Sequence, residues 1–335
     1  MAFSGKKSTR TRSSPFLIRR AFWALFLFFV ATIITYLIFW VIPADPAKLA
    51  AGPRATQADV IRVRHLLHLD QPIWRQYLDF LWQLVGHGSL GISYVNRQPV
   101  RETIFRDAPV TASLVFGGAV FWLSLSIPIG ILSALRPRSL LDRLSMTFVL
   151  VGISAHPVWI GLILSYVIGY KLSLTPIAGY CNFFPGTVGA QCEGPVQWAY
   201  HLILPWITFM ILFAALYVRL IRANVMETMT EDYVRTARAK GASERRVMVQ
   251  HVLRNSMLPV VTILGMDLGL ALGGAIFTES IFNLPGLGHE VISAYSNDDL
   301  PMITGIVVFS TICVIVFNLI VDIAYGFLDP RIRPT

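Results

Sequence analysis

Long uncharged runs alternate with short polar segments along the chain, and the runs have the length of membrane-crossing helices. Residues 21–42 carry no charge; at 1.5 Å per residue they extend about 33 Å, enough to cross a hydrocarbon core of about 30 Å. Comparable runs lie at about 108–135, 144–170, 199–221, 257–282 and 301–327, which predicts an all-α polytopic membrane protein with six transmembrane helices. A cleaved signal peptide would have an apolar stretch of about 7–15 residues and a small-x-small cleavage site. Here the first run is longer and ends in Pro43-Ala44-Asp45-Pro46, so it is read as a retained span. In the intervening segment 43–107, Trp74, Tyr77, Leu78, Leu81, Trp82 and Val85 recur at i, i+3, i+4, i+7, i+8 and i+11, one face of an amphipathic helix. Its Trp and Tyr suit the headgroup region, and packing against the outer ends of the spans fits the same pattern.

Composition agrees with this reading: 55% of residues are hydrophobic and 14% charged, against about 45–50% and about 25% in soluble domains. The net charge of +9 would suit nucleic acid, but the placement of the basic residues points to orientation in a bilayer. The N-terminal tail 1–20, the stretches 136–143 and 219–254, and the C-terminus together hold 19 of the 28 Lys and Arg residues, whereas 172–198 and 283–300 hold none. Both termini are therefore predicted to be cytoplasmic, with 43–107 outside.

No enzyme signature emerges. Gly5-Lys6-Lys7-Ser8 lacks the first glycine of a phosphate-cradling loop. His65, His68 and His87 share a segment without a cysteine or carboxylate cluster, so surface histidines explain them better than a metal site. Cys181 and Cys192 fall in one outer, oxidising loop and are predicted to form a disulfide; Cys313, inside the sixth run, reads as a small apolar residue. Asp267, Glu279 and Asp322 lie within or at the ends of the last runs, where a carboxylate is costly. The two readings are a polar translocation path, and an interhelical hydrogen bond or an ion pair near a helix end; the second leads for Asp322, and Asp267 and Glu279 stay candidates for the path.

The predicted cytoplasmic segment 222–256 is the most informative. Charged Glu231, Asp232, Arg235, Arg238 and Lys240 alternate with Val234, Ala237 and Ala239, then Arg245 and Arg246 with Val247, Val249 and Val252. Two short amphipathic helices with a bend at Gly241 follow, presenting small alanines as a knob for a partner's groove.

These residues resemble a family. Tyr233-Val234-Arg235-Thr236-Ala237-Arg238-Ala239-Lys240-Gly241, His251 to Asn255 and Leu258-Pro259 are similar to the cytoplasmic "EAA" loop of permease subunits of ABC importers, in the dipeptide/oligopeptide/nickel branch. The likeness runs from about Asp45 to Arg333, through Leu69-Asp70-Gln71-Pro72, Gly88-Ser89-Leu90-Gly91, Pro109-Val110-Thr111, Gly273-Gly274-Ala275, Glu279-Ser280-Ile281-Phe282, Pro285-Gly286-Leu287-Gly288 and Leu328-Asp329-Pro330-Arg331. The long outer segment favours the B-type permease. Departures are Arg235-Thr236-Ala237 where the general loop has Glu-Ala-Ala, Leu253-Arg254 in place of a later Leu-Pro, and Ser89 and His68 where the branch often has Asp and Gly.

The resemblance implies a type I ABC importer permease fold in the bacterial cytoplasmic membrane, carrying dipeptides or oligopeptides, with glutathione, nickel chelates or haem as alternative cargo. It implies a second, C-type permease, two ATPase subunits that bind ATP and Mg, and an extracytoplasmic substrate-binding protein as partners; no cofactor is expected on this chain. Glu231, Tyr233, Arg235, Ala237, Lys240 and Gly241 become the candidate ATPase-coupling residues. A secondary transporter working without ATPases is the rival class, and it leaves 222–256 unexplained.

Overall fold

The structure, a computed structural model, describes residues 14–41, 45–52, 54–184 and 192–328. Most of the basic tail, the Gly5 to Ser8 motif, the C-terminal motif from Asp329 onwards and the side chain of Asp322 lie outside that description. The described chain is built of helices: α1 (Ser14–Tyr36, continued by wider turns over Leu37–Val41), α2 (Pro46–Ala51), α3 (Gln57–Leu66), α4 (Ile73–His87) and α5 (Val100–Leu135). Then come α6 (Leu140–Ser154), α7 (Pro157–Lys171), α8 (Pro195–Met229), α9 (Asp232–Ala239) and α10 (Glu244–Ser256). The last four are α11 (Leu258–Ala271), α12 (Ile276–Ile281), α13 (Leu287–Ser296) and α14 (Leu300–Leu328). Four helices are long and apolar enough to cross a membrane, and up to six crossings result if each of two bent pairs, α6 with α7 and α10 with α11, counts as one.

Helices α5 and α8 pack along each other and form the spine, with α6 against α8 and α14 against both α11 and α1. Small residues set the approach, as expected where lipid removes the hydrophobic drive between helices. A Cβ on Gly118 would lie 2.7 Å from Phe209 Cδ1, and one on Gly269 would lie 2.8 Å from Val314 Cα. Into the resulting core, fully buried Trp122 stacks on Phe213 at 4.6 Å between ring centroids and tilts against Phe209 at 5.6 Å.

Two of the six runs are not single helices. The run at 144–170 is cut at Ala155-His156 and turns through 102°. Pro157 removes a backbone N–H and disfavours helical geometry at the residue before it, so His156 adopts φ −69°, ψ 137° and its Nδ1 accepts from Val158 N–H at 3.3 Å, restarting the helix. The run at 257–282 ends at Ala271, passes Gly273 and Gly274, the latter at φ +135°, and resumes only as the short α12.

Glu279 holds that second break closed. Its carboxylate is fully buried and accepts from Thr111 Oγ1 at 2.8 Å, Gly288 N–H at 2.7 Å, His289 N–H at 3.1 Å and Ala275 N–H at 3.3 Å. The Thr111 hydroxyl in turn accepts from Leu287 N–H at 2.9 Å. One carboxylate and one hydroxyl thus satisfy four backbone donors freed by the break, which apolar surroundings would otherwise leave at a cost of about 1–3 kcal/mol each. The arrangement needs glycine at 288, where a Cβ would stand 2.7 Å from the Ile276 backbone.

Two further aspartates act similarly at the ends of the spine. Asp142 accepts a two-point bond from Arg222 (Nε to Oδ1 2.7 Å, Nη2 to Oδ2 3.0 Å), the Arg138 N–H at 2.8 Å and the Ser133 hydroxyl, pinning α5, α6 and α8 together. At the other end Asp299 accepts from the Ser93 hydroxyl and from the N–H groups of Tyr94 at 3.1 Å and Met302 at 3.4 Å, fastening the turn before α5 to the start of α14. Cys181 and Cys192 are joined as a disulfide, their Cα atoms 5.1 Å apart. The amphipathic helix expected around Trp74 is α4, but its apolar positions divide: Tyr77 and Phe80 pack on Tyr36 of α1, while Trp74, Leu78, Trp82 and Val85 are exposed.

Glu279→Gln places an amide NH2 where two backbone N–H groups need an acceptor, so it should cost about 2–4 kcal/mol and lower the thermal midpoint of the purified chain by several degrees; an unchanged midpoint would contradict the role given to the carboxylate. For the Asp142 pin, Arg222→Met leaves a buried Asp142 charge without its cation and should cost about 3–5 kcal/mol, whereas the double variant Asp142→Leu/Arg222→Met should recover much of that loss. Equal midpoints for the single and double variants would refute the pairing.

Candidate functional site

Helix α8 runs eight residues beyond the apolar stretch 199–221 and delivers the chain to a tight hairpin of α9 and α10. Glu231 precedes α9 in extended geometry (φ −65°, ψ 145°). At the other end of α9, Gly241 N–H donates to Arg238 C=O at 2.9 Å and Ala242 N–H to Ala237 C=O at 3.2 Å. This is the double C-terminal closure that needs a left-handed residue, and Gly241 supplies it at φ +78°. Nothing lies within 4 Å of a Cβ built there, so the backbone conformation rather than space demands glycine. Arg238 spans the bend to Glu244 with Nε to Oε1 at 2.9 Å and Nη2 to Oε2 at 3.2 Å.

The hairpin has two faces. Val234, Val247 and Val252 are fully buried in the chain's own core, with Ala237 and Ala242 packed beside them. Facing away are Glu231, Tyr233, Arg235, Ala239, Lys240 and Gly241, all exposed. Tyr233 accepts from Asn255 Nδ2 at 2.9 Å, which ties its ring to α10, and Arg235 stands 3.8 Å from Asp232. Five of the six candidate coupling residues thus share the outward side. Ala237 does not: its methyl group turns inward, because the spacing that puts Val234 in the core puts position 237 there too. The alanine knob expected from the sequence is in part packing against this chain's own helices.

The candidate path residues fare differently. Asp267 on α11 is half-buried and accepts from the phenol of fully buried Tyr217 on α8 at 2.7 Å, an interhelical bond that leaves its other oxygen without a hydrogen bond among the described residues. Glu279 is sealed within the chain by the donors already described, the arrangement of the interhelical reading. As for metals, His65 Nδ1 lies 2.5 Å from Asp70 Oδ2. Cys181, Cys192 and His201 place donor atoms within 4.8 Å of one another, but the two sulfurs are bonded together and offer no thiolate.

Arg222 and Asp142 were counted in the sequence only as charges. The signal that would have singled them out is a lone acid among Arg136, Arg138 and Arg143, placed where the chain leaves one apolar run and enters the next. Their bond fixes the end of α8 from which the hairpin hangs.

Comparison with known proteins agrees with this architecture. The family described as "Binding-protein-dependent transport system inner membrane component" matches residues 126–334, and its N-terminal companion, "Binding-prot-dependent transport system membrane comp, N-term", matches residues 14–115. The chain is 35% identical over 338 residues to the dipeptide transport system permease protein DppB of Escherichia coli (strain K12), covering 95% of this chain and 98% of that one. It is also 35% identical over 318 residues to the glutathione transport system permease protein GsiC of the same strain, with the same two coverages. The chain belongs to the family of inner membrane components of binding-protein-dependent transport systems, within the dipeptide/oligopeptide branch of ABC importer permeases.

Proposed function

We propose that this chain is one of two permease subunits of an ATP-driven peptide importer, with six crossings, cytoplasmic termini and the segment 43–107 outside. A C-type permease completes the passage, an extracytoplasmic binding protein delivers peptide to its mouth, and two ATPases holding ATP and Mg drive it from the cytoplasm. The observation that carries the reading is the hairpin α9–α10: its inner face is buried in the chain's core through Val234, Val247 and Val252, while Tyr233, Arg235, Lys240 and Gly241 on its outer face are exposed. A surface so firmly seated can transmit force. Pushed by an ATPase, the hairpin would move with α8, to whose end the Asp142 to Arg222 bond also fastens α6.

The transition has a known scale. Inverting a population from 1:99 to 99:1 takes about 5.5 kcal/mol of differential stabilisation, within the reach of ATP binding combined with receptor docking. Cargo follows from the two relatives: one is named for dipeptides and one for glutathione, at equal identity. Short peptides are the shared class. Charged termini of such a peptide would cross in a water-filled passage between the permeases, where the half-buried Asp267, whose second oxygen has no hydrogen bond among the described residues, would touch them.

Gly241→Pro cannot reach φ +78° and removes the N–H that closes α9. In the co-purified four-subunit complex in lipid, it should leave basal ATP hydrolysis in place and abolish its stimulation by loaded binding protein, with peptide uptake falling at least about tenfold. Lys240→Glu, which alters an exposed side chain and no buried one, should weaken the same stimulation without changing assembly. Full uptake in both variants, or purification of the chain as an active transporter without an ATPase, would overturn the proposal. Competition by unlabelled dipeptide against unlabelled glutathione separates the two cargoes.

A further inference from the structure

A cavity of about 520 Å³ opens between the outer segment and the ends of the first and last apolar helices, remote from the α9–α10 hairpin. Its walls combine two kinds of chemistry. On one side Tyr36 and Trp40 stack at 6.0 Å and Phe80 tilts against Tyr36 at 5.6 Å, with the Asp79 carboxylate in the same lining. Asp79 is exposed and forms no ion pair among the described residues. Aromatic faces beside an unpaired carboxylate attract an ammonium group.

On the other side the cavity is lined by Tyr94, Thr304 and Arg97. Among the described residues the Tyr94 and Thr304 hydroxyls are buried without a hydrogen-bond partner, and Thr304 as a residue is 2% exposed. Two such hydroxyls in residues that line one cavity call for an acceptor there, which meets them once the lining parts, because both atoms are closed to solvent as they stand. Burial, with the nearby Asp299 charge second, pushes the Tyr94 phenol up, so it stays a neutral donor. With the Arg97 guanidinium, these groups suit an anion held a short distance from the ammonium.

Position selects among zwitterions. Trp40 ends the apolar helix Phe22–Val41 and Thr304 begins the apolar helix Leu300–Val321, so the cavity sits where hydrocarbon gives way to headgroups. Leucines 66, 67 and 69 add an apolar wall. We propose that this cavity is a binding site for one zwitterionic phospholipid, its phosphate taken by Arg97, Tyr94 and Thr304 and its ammonium by Asp79 and the rings of Tyr36, Trp40 and Phe80. Through the lipid the site would tie α4, which lines it with Gln76, Asp79, Phe80 and Gln83, to both helix ends. Only the assignment to the outer leaflet rests on the orientation proposed above; lipid retention does not depend on coupling or cargo.

The test is native mass spectrometry of the intact importer complex released from nanodiscs containing equal phosphatidylethanolamine and phosphatidylglycerol, repeated with phosphatidylcholine in place of phosphatidylethanolamine. One zwitterionic lipid per copy of this chain should be retained, in at least about tenfold preference over phosphatidylglycerol. Asp79→Asn and the pair Tyr94→Phe/Thr304→Val should each reduce that retention by about tenfold, while leaving ATPase stimulation by the binding protein measurable as evidence of folding. Retention of phosphatidylglycerol equally well, unchanged retention in the variants, or displacement of the lipid by millimolar dipeptide would overturn the proposal, the last in favour of a peptide site.

Discussion

Wherever an apolar helix breaks in surroundings without water, the freed backbone donors must find acceptors, and this constraint organises the chain. Glu279 and Thr111 meet it where α11 gives way to α12 and the chain continues into α13. Because Thr111 stands on α5, satisfying those donors also binds the broken region to the spine. The close contact of Gly288 with Ile276, the seating of α13 and the start of α14 follow from that one closure. Asp142 and Asp299 repeat the device at the two ends of the bundle, Asp142 gathering donors from α5, α8 and the turn before α6, and Asp299 from the turn before α5 and the start of α14. A permease has to change shape without opening gaps in its hydrogen bonding, and anchors of this kind let helices move as blocks.

The hairpin α9–α10 makes sense as an extension of one such block. Its valines belong to the same core that holds Trp122 and Tyr217, so a force on its outer face meets a continuous packed body rather than a hinge. Gly241 sets the angle of the hairpin through backbone conformation, and Arg238 with Glu244 braces it. Arg235, where the general importer loop it resembles has an acid, lies on the exposed face, where a charge change alters what a partner meets without disturbing the fold.

Much of this was legible in the sequence, and the rest was hidden for physical reasons. Apolar runs announced the long helices, since nothing else requires so many uncharged residues in succession. The bend at Gly241 was visible because a glycine stood between two amphipathic stretches. The turn at His156 carried a signal too, a proline inside the run, but Pro109, Pro128 and Pro205 sit inside unbroken helices, so proline alone does not decide. The side of Ala237 was misjudged because alanine fits a partner's groove and its own chain's core equally well. Glu279 was read as a path residue or a hydrogen-bonded anchor, and its bonds to Thr111, Gly288 and His289, far apart in sequence, could not be read there. Asp142 with Arg222 was hidden for the same reason: 80 residues lie between them.

The central claim is that the outer face of the α9–α10 hairpin is where an ATPase presses. Photo-crosslinking within the assembled complex in lipid tests it most directly, with the probe placed in turn at Arg235, Ala239 and, as a control on the opposite side of the chain, Trp82 of α4. The account predicts adducts of the mass of the ATPase from 235 and 239, altered by ATP, and none from 82. An absence of ATPase adducts at both hairpin positions in a complex that hydrolyses ATP would contradict it.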